Sequence, residues 1–230
     1  MSLWQDFISL IYPRSCICCD NLLLKSEEFI CNQCFINLPQ SKFESDNESE
    51  LDKLFYGRVP VQKAGAFLIF EKSGKVQKIL HSIKYNGNKR LAFRVGQWYG
   101  EKLKEYNVFV MADCIVPVPL HPKKQKQRGF NQSEEFAKGL SDSLHIPVVN
   151  DNLIRAEFTS TQTKKSKAER WENVKDKFEL MYPERLENKT ILLVDDVITT
   201  GATLDACYQA LNSAKEIKLS VISLAYAKKD

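Results

Sequence analysis

The stretch that decides the fold is ILLVDDVITTGAT, residues 191–203. Its first four residues are apolar and typical of a central strand in a parallel sheet, so Asp195 and Asp196 come at the carboxyl end of that strand. Ligands bind at this edge in open α/β sheets. A loop follows and leads directly into residues 204–214, LDACYQALNSA, which we expect to be helical. The stretch therefore predicts a strand, a ligand-binding loop and a helix, in that order.

The loop itself has the composition of a phosphate site. A helix N-terminus offers free N–H groups and the positive end of a dipole, both of which favour a phosphate. Gly201 lets the backbone approach a ligand closely, and three threonines within 199–203 add hydroxyl donors. Asp195 and Asp196 would repel the phosphate, but they can accept hydrogen bonds from the two vicinal hydroxyls of a ribose. The loop therefore predicts a site for a ribose phosphate.

Two other interpretations of this stretch are available. It could be an ordinary connection between a strand and a helix, with one hydroxyl residue capping the helix. The paired acids could also hold Mg²⁺ in a nucleoside triphosphatase. That class requires a G-x-x-x-x-G-K-[ST] loop, and the only Gly-Lys pair, at Gly74, lacks the rest of that pattern.

Short apolar runs and helical spacings alternate along the rest of the chain. Strands are predicted at 64–70, 114–120, 146–149 and 217–227, and helices around 76–83, 91–98 and 136–144. This alternation is typical of βαβ units and predicts an α/β fold, a parallel sheet with helices on both faces.

Four of the seven cysteines form two C-x-x-C pairs separated by eleven residues. Cys16, Cys19, Cys31 and Cys34 supply four thiolates at a spacing suited to tetrahedral zinc, and a segment so small and polar would depend on the metal to fold. Cys18 could replace Cys16 or Cys19 as a ligand. A redox pair or four free thiols is the alternative.

Length and composition set the remaining expectations. The 230 residues, 43% of them hydrophobic and with a net charge of only +4, fit one α/β domain with a small appendage. We expect an amphipathic helix and zinc module at 1–40, an acidic solvated linker at 41–55 and the main domain at 56–230. No apolar run suits a membrane span, and the start lacks the basic region of a secretory signal, so we expect a cytoplasmic protein.

Taken together, these motifs resemble a known family. Residues 191–203 resemble the phosphoribosyl-diphosphate (PRPP) signature of type I phosphoribosyltransferases. The paired cysteines, I-K-Y-x-G at 83–87, V-P-V-P-L at 116–120 and R-G-F-N-Q at 128–132 resemble the ComF family, which carries an N-terminal zinc finger. The same resemblance includes Arg155, Thr159, Gln162, Arg170, Asn173 and Phe178.

The resemblance implies a type I phosphoribosyltransferase fold, with hood elements at about 60–110 and a mobile loop at about 156–176. Asp195 and Asp196 would bind the ribose hydroxyls, and the loop after 114–120 would approach a diphosphate held with Mg²⁺. Arg128 would contact the ligand or act as a hinge, whereas the lysines at 123, 124 and 126 either face the diphosphate or form a solvated surface. The implied PRPP contacts are Asp195, Asp196, Thr199, Thr200, Gly201, Ala202, Thr203, Pro119, Arg128 and Arg170, with Asp195, Asp196 and Arg128 as catalytic candidates.

Two functions fit these features. One is a phosphoribosyltransferase that displaces pyrophosphate from the sugar, which requires alignment and a metal but no protein nucleophile. The other is a ComF-type competence protein that binds single-stranded DNA during DNA uptake, with PRPP as a regulatory ligand. Basic loops at 121–130 and 155–175, with Tyr85, Phe130 and Trp171 for stacking, suit such a strand. The acceptor, the catalytic competence and the oligomeric state are left open by the sequence.

Overall fold

The computed structural model describes residues 13–41, 49–155 and 178–228. The amphipathic helix expected before residue 13 and the loop expected at about 156–176 lie outside these residues. The same holds for Arg170, Trp171 and the motif residues Thr159, Gln162 and Asn173.

A four-stranded parallel sheet forms the centre of the fold. Its strands are β1 (Val61–Phe70), β2 (Cys114–Pro117), β5 (Thr190–Ile198) and β6 (Lys218–Ala227), in the spatial order β1-β6-β5-β2. A separate antiparallel pair consists of β3 (Leu153–Arg155) and β4 (Phe178–Leu180). The expected α/β architecture with a parallel sheet is therefore confirmed.

Helices cover both faces of this sheet. They are α1 (Asn32–Ile36), α2 (Glu50–Lys53), α3 (Lys75–Tyr85), α4 (Lys89–Glu105), α5 (Pro122–Arg128), α6 (Gln132–Leu144) and α7 (Ala202–Leu211), with a 3-10 turn at Pro183–Arg185. The helices predicted around 76–83, 91–98, 136–144 and 204–214 correspond to α3, α4, α6 and α7.

Strand β5 is buried on both faces, which explains its unbroken apolar sequence. Leu192 and Val194 pack into a core shared with α3, α4 and α6. Ile191 and Leu193 point the other way, into a core shared with α2, α7 and the β3–β4 pair. A strand between two cores needs apolar residues at every position, and only the end of β5 is free to carry acids.

Helices α4 and α6 cross in direct backbone contact. A Cβ atom at Gly96 would collide with the carbonyl oxygen of Phe136, and one at Gly139 would collide with that of Phe93. Both positions therefore require glycine. This close crossing fixes the start of α6 beside the end of β5.

Two expectations about the main domain are wrong. Residues 146–149 form no strand, because only a single bridge joins Val148 to Ile115 and Pro147 has no N–H to extend a ladder. Residues 60–110 do not form a hood. Strand β1 pairs with β6 within the central sheet, and α3 and α4 pack against that sheet.

The expected linker at 41–55 is also wrong over its second part. Ser49 caps α2 in a reciprocal capping box with Asp52, and Leu51 and Phe55 are buried against the sheet. The acidic composition of this segment predicted a solvated linker. Asp52 instead belongs to the packed structure, since it also accepts a hydrogen bond from the backbone N–H of Ala64. Residues 42–48 lie outside the described residues.

Candidate functional site

Two adjacent carboxylates lie at the carboxyl end of β5, where the sequence predicts them. Oδ1 of Asp195 accepts hydrogen bonds from Ser133 Oγ, at 3.2 Å, and from the backbone N–H of Asp196, at 2.8 Å. Oδ2 of Asp196 forms an ion pair with Lys84 Nζ, at 2.8 Å. Ser133 comes from the start of α6 and Lys84 from the last turn of α3, so three elements meet at this edge.

Each carboxylate keeps one oxygen for a ligand. Within residues 13–41, 49–155 and 178–228, Oδ2 of Asp195 and Oδ1 of Asp196 have no hydrogen-bond partner. Burial, together with the negative charge of Asp196, raises the pKa of Asp195 to about 7. Asp195 can therefore hold a proton at neutral pH. Because Oδ1 already accepts two hydrogen bonds, that proton would lie on Oδ2, and only the ionised form offers Oδ2 as an acceptor for a hydroxyl group.

The loop after β5 has the backbone of an anion site. Gly201 adopts a left-handed conformation, with φ of 76°, and caps the N-terminus of α7. A Cβ atom at this position would lie 3.1 Å from Cε1 of Phe55, so the position requires glycine for two reasons. Thr199, Thr200 and Ala202 are exposed and Thr203 is half-buried. Thr199 and Thr200 thus bring two hydroxyl-bearing side chains to the end of the helix, where the N–H of Ala202 donates to Oγ1 of Thr200 at 3.4 Å.

Arg58 fastens this loop, and the sequence analysis missed it. Its guanidinium donates hydrogen bonds to the carbonyl oxygens of Thr200, at 2.9 Å, and Leu54, at 3.1 Å, and it pairs with Asp205 in the first turn of α7. No local pattern marks Arg58 as part of the site, because Thr200 and Asp205 lie 142 and 147 residues further along the chain. Lys84 did carry a signal, since it lies in the I-K-Y-x-G motif.

The end of β2 supplies the second side of the site. Pro119 is half-buried there, and the preceding residue, Val118, is held by a hydrogen bond from its N–H to the carbonyl oxygen of Val194. Arg128 ends α5, donates to Oε1 of Gln132 at 2.7 Å and lies 5.8 Å from the ring centroid of Tyr85. The structure thus places Arg128 beside Tyr85, which directly follows Lys84. The lysines at 123, 124 and 126 are exposed on α5.

The four predicted cysteines converge on one point. The Sγ atoms of Cys16, Cys19, Cys31 and Cys34 lie within 4.8 Å of one another. Tetrahedral zinc with zinc–sulfur distances of about 2.3 Å places its sulfur ligands about 3.8 Å apart, and Cys19 and Cys31 have Sγ atoms 3.7 Å apart. The cluster therefore fits a structural zinc site.

Backbone groups favour the ionised form of one of these thiols. Burial opposes ionisation of Cys16, but N–H groups of Cys31, Cys18 and Cys19 outweigh it and lower the pKa of Cys16 to about 6. Asp20, which directly follows Cys19, adopts the left-handed conformation, with φ of 65°. Aspartate is among the residues that tolerate this conformation.

Cys18 does not belong to the cluster. Its side chain turns toward the carbonyl oxygen of Lys75 on α3, at 4.0 Å, and burial raises its pKa to about 12. The group of thiols whose Sγ atoms lie within 4.8 Å of one another does not include Cys18. The structure therefore favours Cys16 and Cys19 over Cys18 as ligands.

The cysteine segment packs directly on the main domain. Lys78 Nζ of α3 donates to the carbonyl oxygen of Cys18 at 2.9 Å, and the rings of Phe35 and Trp98 lie 4.8 Å apart. The same buried core contains Cys16 and Ile79 of α3. Helix α3 thus contacts the cysteine segment on one side and the carboxylate pair on the other.

Across the parts of the chain that the structure describes, no helix has both the length and the apolar character needed to span a membrane.

Known proteins share these features in part. Residues 131–229 match the family model of the phosphoribosyl transferase domain. Competence protein F of Haemophilus influenzae is 36% identical over 118 residues, which cover 51% of this chain and 52% of that protein. DNA utilization protein YhgH of Escherichia coli is 37% identical over 101 residues, 44% of each chain. The chain thus spans about half the length of the curated relatives it matches.

A solved structure of an adenine phosphoribosyltransferase aligns over 64% of this chain and 74% of its own, with 18% identity and a TM-score of 0.40. The matched domain contains the carboxylate pair, the 199–203 loop and α7. The cysteine cluster is formed by the two C-x-x-C pairs of the sequence, and the competence relatives are of the kind that the resemblance to the ComF family predicts. Residues 131–229 thus form a phosphoribosyl transferase domain, and the chain is similar to the competence and DNA utilization proteins named above.

Proposed function

We propose that this protein binds PRPP together with Mg²⁺ and transfers its phosphoribosyl group with release of pyrophosphate. The observation that carries the proposal is that Asp195 and Asp196, beside the N-terminus of α7, each have one carboxylate oxygen without a hydrogen-bond partner among the described residues. A ribose phosphate has two vicinal hydroxyls and one phosphate. The two carboxylates suit the two hydroxyls, and the positive end of the α7 dipole suits the negative phosphate.

The chain's own residues would bind and align the ligand. The 5′-phosphate would accept hydrogen bonds from N–H groups and hydroxyls of residues 199–203, and the ribose hydroxyls would donate to Asp195 and Asp196. Pro119, Arg128 and Arg170 are proposed to contact the diphosphate. Mg²⁺, which binds carboxylates and phosphates, would neutralise the leaving diphosphate. Alignment of the acceptor would then supply most of the catalysis.

Calorimetric titration with PRPP and Mg²⁺, with released pyrophosphate measured in the same sample, tests this function. Binding that is lost in Asp195→Asn/Asp196→Asn would support it, since the double variant keeps the shape but removes both charges. Asp113→Asn is the matched control, because Asp113 directly precedes β2 at the amino ends of the strands, away from the carboxyl ends where Asp195 and Asp196 lie. Failure of the unaltered protein to bind PRPP would overturn the proposal. Binding without pyrophosphate release, even when candidate base and amine acceptors are added, would restrict it to PRPP recognition.

The zinc site is part of the proposal. We assign Cys16, Cys19, Cys31 and Cys34 as ligands of one structural Zn²⁺, which would order residues 13–41. Thiolates of this kind persist in a reducing compartment, so the proposal includes a cytoplasmic location.

A second candidate function is the handling of single-stranded DNA, with PRPP as a regulatory ligand. It is favoured by the competence and DNA-utilization names of the relatives and by the exposed lysines of α5 beside Arg128 and Tyr85. Fluorescence anisotropy with labelled oligothymidylate tests it. Affinity that falls in Lys123→Glu/Lys124→Glu/Lys126→Glu and declines steeply with salt would support it. Lys104→Glu/Lys215→Glu/Lys218→Glu reverses three other exposed lysines and is the control for a general charge effect, so it should keep the affinity of the unaltered protein.

A further inference from the structure

Lys84 has no role in the ligand contacts proposed so far. It lies in the last turn of α3, and its ammonium group is 2.8 Å from Oδ2 of Asp196. The Lys84 and Asp196 side chains are only 21% and 18% exposed, so this ion pair is shielded more than a surface pair. Charge interactions at such a site are screened less by water and salt than on an open surface.

The charges at this edge of the sheet pose a problem for the proposed ligand. PRPP carries a phosphate and a diphosphate, and the two adjacent carboxylates repel both. Asp195 reduces this repulsion in part, because its raised pKa lets it hold a proton near neutral pH. Asp196 is the second carboxylate, and among the described residues Lys84 is the cation in ion-pair contact with it.

We propose that Lys84 is the charge-compensating residue of the ribose site, which neutralises Asp196 and holds its carboxylate with one oxygen facing the ribose. This inference rests on the proposed function. Through this contact Lys84 positions Asp196 and lowers the electrostatic cost of bringing a polyanion to the carboxylate pair. Its effect on affinity should therefore grow with the negative charge of the ligand.

The fold holds Lys84 in this position. Val76, Ile79 and Ile83 of α3 are buried against the sheet, and Lys78 on the same helix is bonded to the cysteine segment. Helix α3 is therefore anchored along its length, and the Lys84 side chain reaches the end of β5 from a fixed helix. The other charged and titratable side chains near this turn are Arg128, which packs on Tyr85, and His81, whose ring lies 5.0 Å from that of Tyr85.

The role of Lys84 is tested by comparing two ligands of different charge. Calorimetry should show that Lys84→Gln weakens PRPP binding roughly tenfold but ribose 5-phosphate binding only about twofold, since Coulomb energy scales with charge. Lys84→Arg should restore most of the affinity for PRPP. Lys104→Gln, at the exposed far end of α4, should leave both affinities unchanged.

The outcomes separate this inference from the function on which it rests. Equal losses for both ligands in Lys84→Gln, or no rescue by Lys84→Arg, would show that Lys84 only tethers α3 and would overturn its compensating role. If Lys84→Gln does not fold, the role of Lys84 is tested with Lys84→Arg. Because this variant keeps the cation, it should preserve both the affinity for PRPP and the salt dependence of that affinity. Absence of PRPP binding in the unaltered protein would instead overturn the proposed function and the role of Lys84 with it.

Discussion

At the residue scale, two neighbouring aspartates are in different electrostatic environments. Asp195 is held by a hydroxyl and an N–H group, and burial beside Asp196 raises its pKa to about 7. Asp196 is paired with Lys84. Proton uptake by Asp195 and the ion pair of Asp196 with Lys84 each lower the net negative charge of the site, and Asp195 offers Oδ2 as an acceptor when it is ionised.

The raised pKa of Asp195 has a consequence for stability. Between the ordinary pKa of an aspartate and about 7, the folded protein holds a proton that the unfolded chain has released, so the free energy of unfolding falls as the pH rises through this window. Asp195→Asn has no proton to lose. Urea unfolding at pH 5 and pH 8 should show that Asp195→Asn loses less stability than the unaltered protein, by at least about 1.4 kcal/mol. Parallel curves for the two proteins would contradict the raised pKa, and Asp113→Asn controls for the loss of a charge.

Arg58 should matter to the phosphate loop more than to the fold. Arg58→Ala removes the hydrogen bond to the carbonyl oxygen of Thr200 and leaves Asp205 without its ion-pair partner. We expect a loss of stability of about 1 kcal/mol and a weakening of PRPP binding of roughly fivefold, because the loop is no longer held in the binding geometry. Arg90→Ala, which breaks an exposed pair with Glu28, is the control and should leave binding unchanged. An equal effect of both variants would argue against loop anchoring.

At the scale of elements, the α4–α6 crossing sets the position of Ser133 against Asp195. Gly139→Ala introduces a methyl group where the carbonyl oxygen of Phe93 already lies, so the helices must separate. We expect a loss of about 2–3 kcal/mol in the free energy of unfolding. Urea denaturation measures this loss. Lys104→Ala, an exposed change on α4, should cost less than about 1 kcal/mol, and comparable losses would contradict the close crossing.

At the scale of the whole molecule, the cysteine segment and the ligand site share α3. Removal of zinc by a chelator should loosen residues 13–41 and remove the support that Cys18 gives to Lys78. We expect amide exchange to increase in residues 13–41 and α3 and PRPP affinity to fall, with both effects reversed when Zn²⁺ is restored. Unchanged exchange in α3 after metal removal would show that the two sites are independent.

The ligand set can be tested with matched variants. Cys19→Ala should lose bound zinc, as measured by metal analysis of the purified protein, and should unfold at a lower temperature. Cys18→Ala should retain it, because Cys18 points toward Lys75 and not into the cluster. Zinc loss in both variants would show that Cys18 contributes to the metal site.

Features that depend on neighbouring residues could be predicted from the sequence. The strand, loop and helix that begin at residue 191 follow from an apolar run that ends in acids and leads through a loop with threonines and Gly201 into a helical pattern. The cysteine cluster follows from two C-x-x-C pairs. Two predictions from local patterns were wrong. Residues 49–55 were expected to be a solvated linker, but a capped helix and buried side chains make them part of the fold. Residues 146–149 were expected to be a strand, but Pro147 has no N–H to extend the ladder beyond a single bridge.

Only the tertiary structure decided which side chains complete the site. Lys84, Arg58 and Ser133 come from α3, from the segment after α2 and from α6, and they meet the end of β5 because the strand order is β1-β6-β5-β2. Phe55 lies under Gly201 for the same reason. Ion pairs and packing between segments so far apart leave no periodic trace in the sequence, since they depend on how the sheet brings distant parts of the chain together.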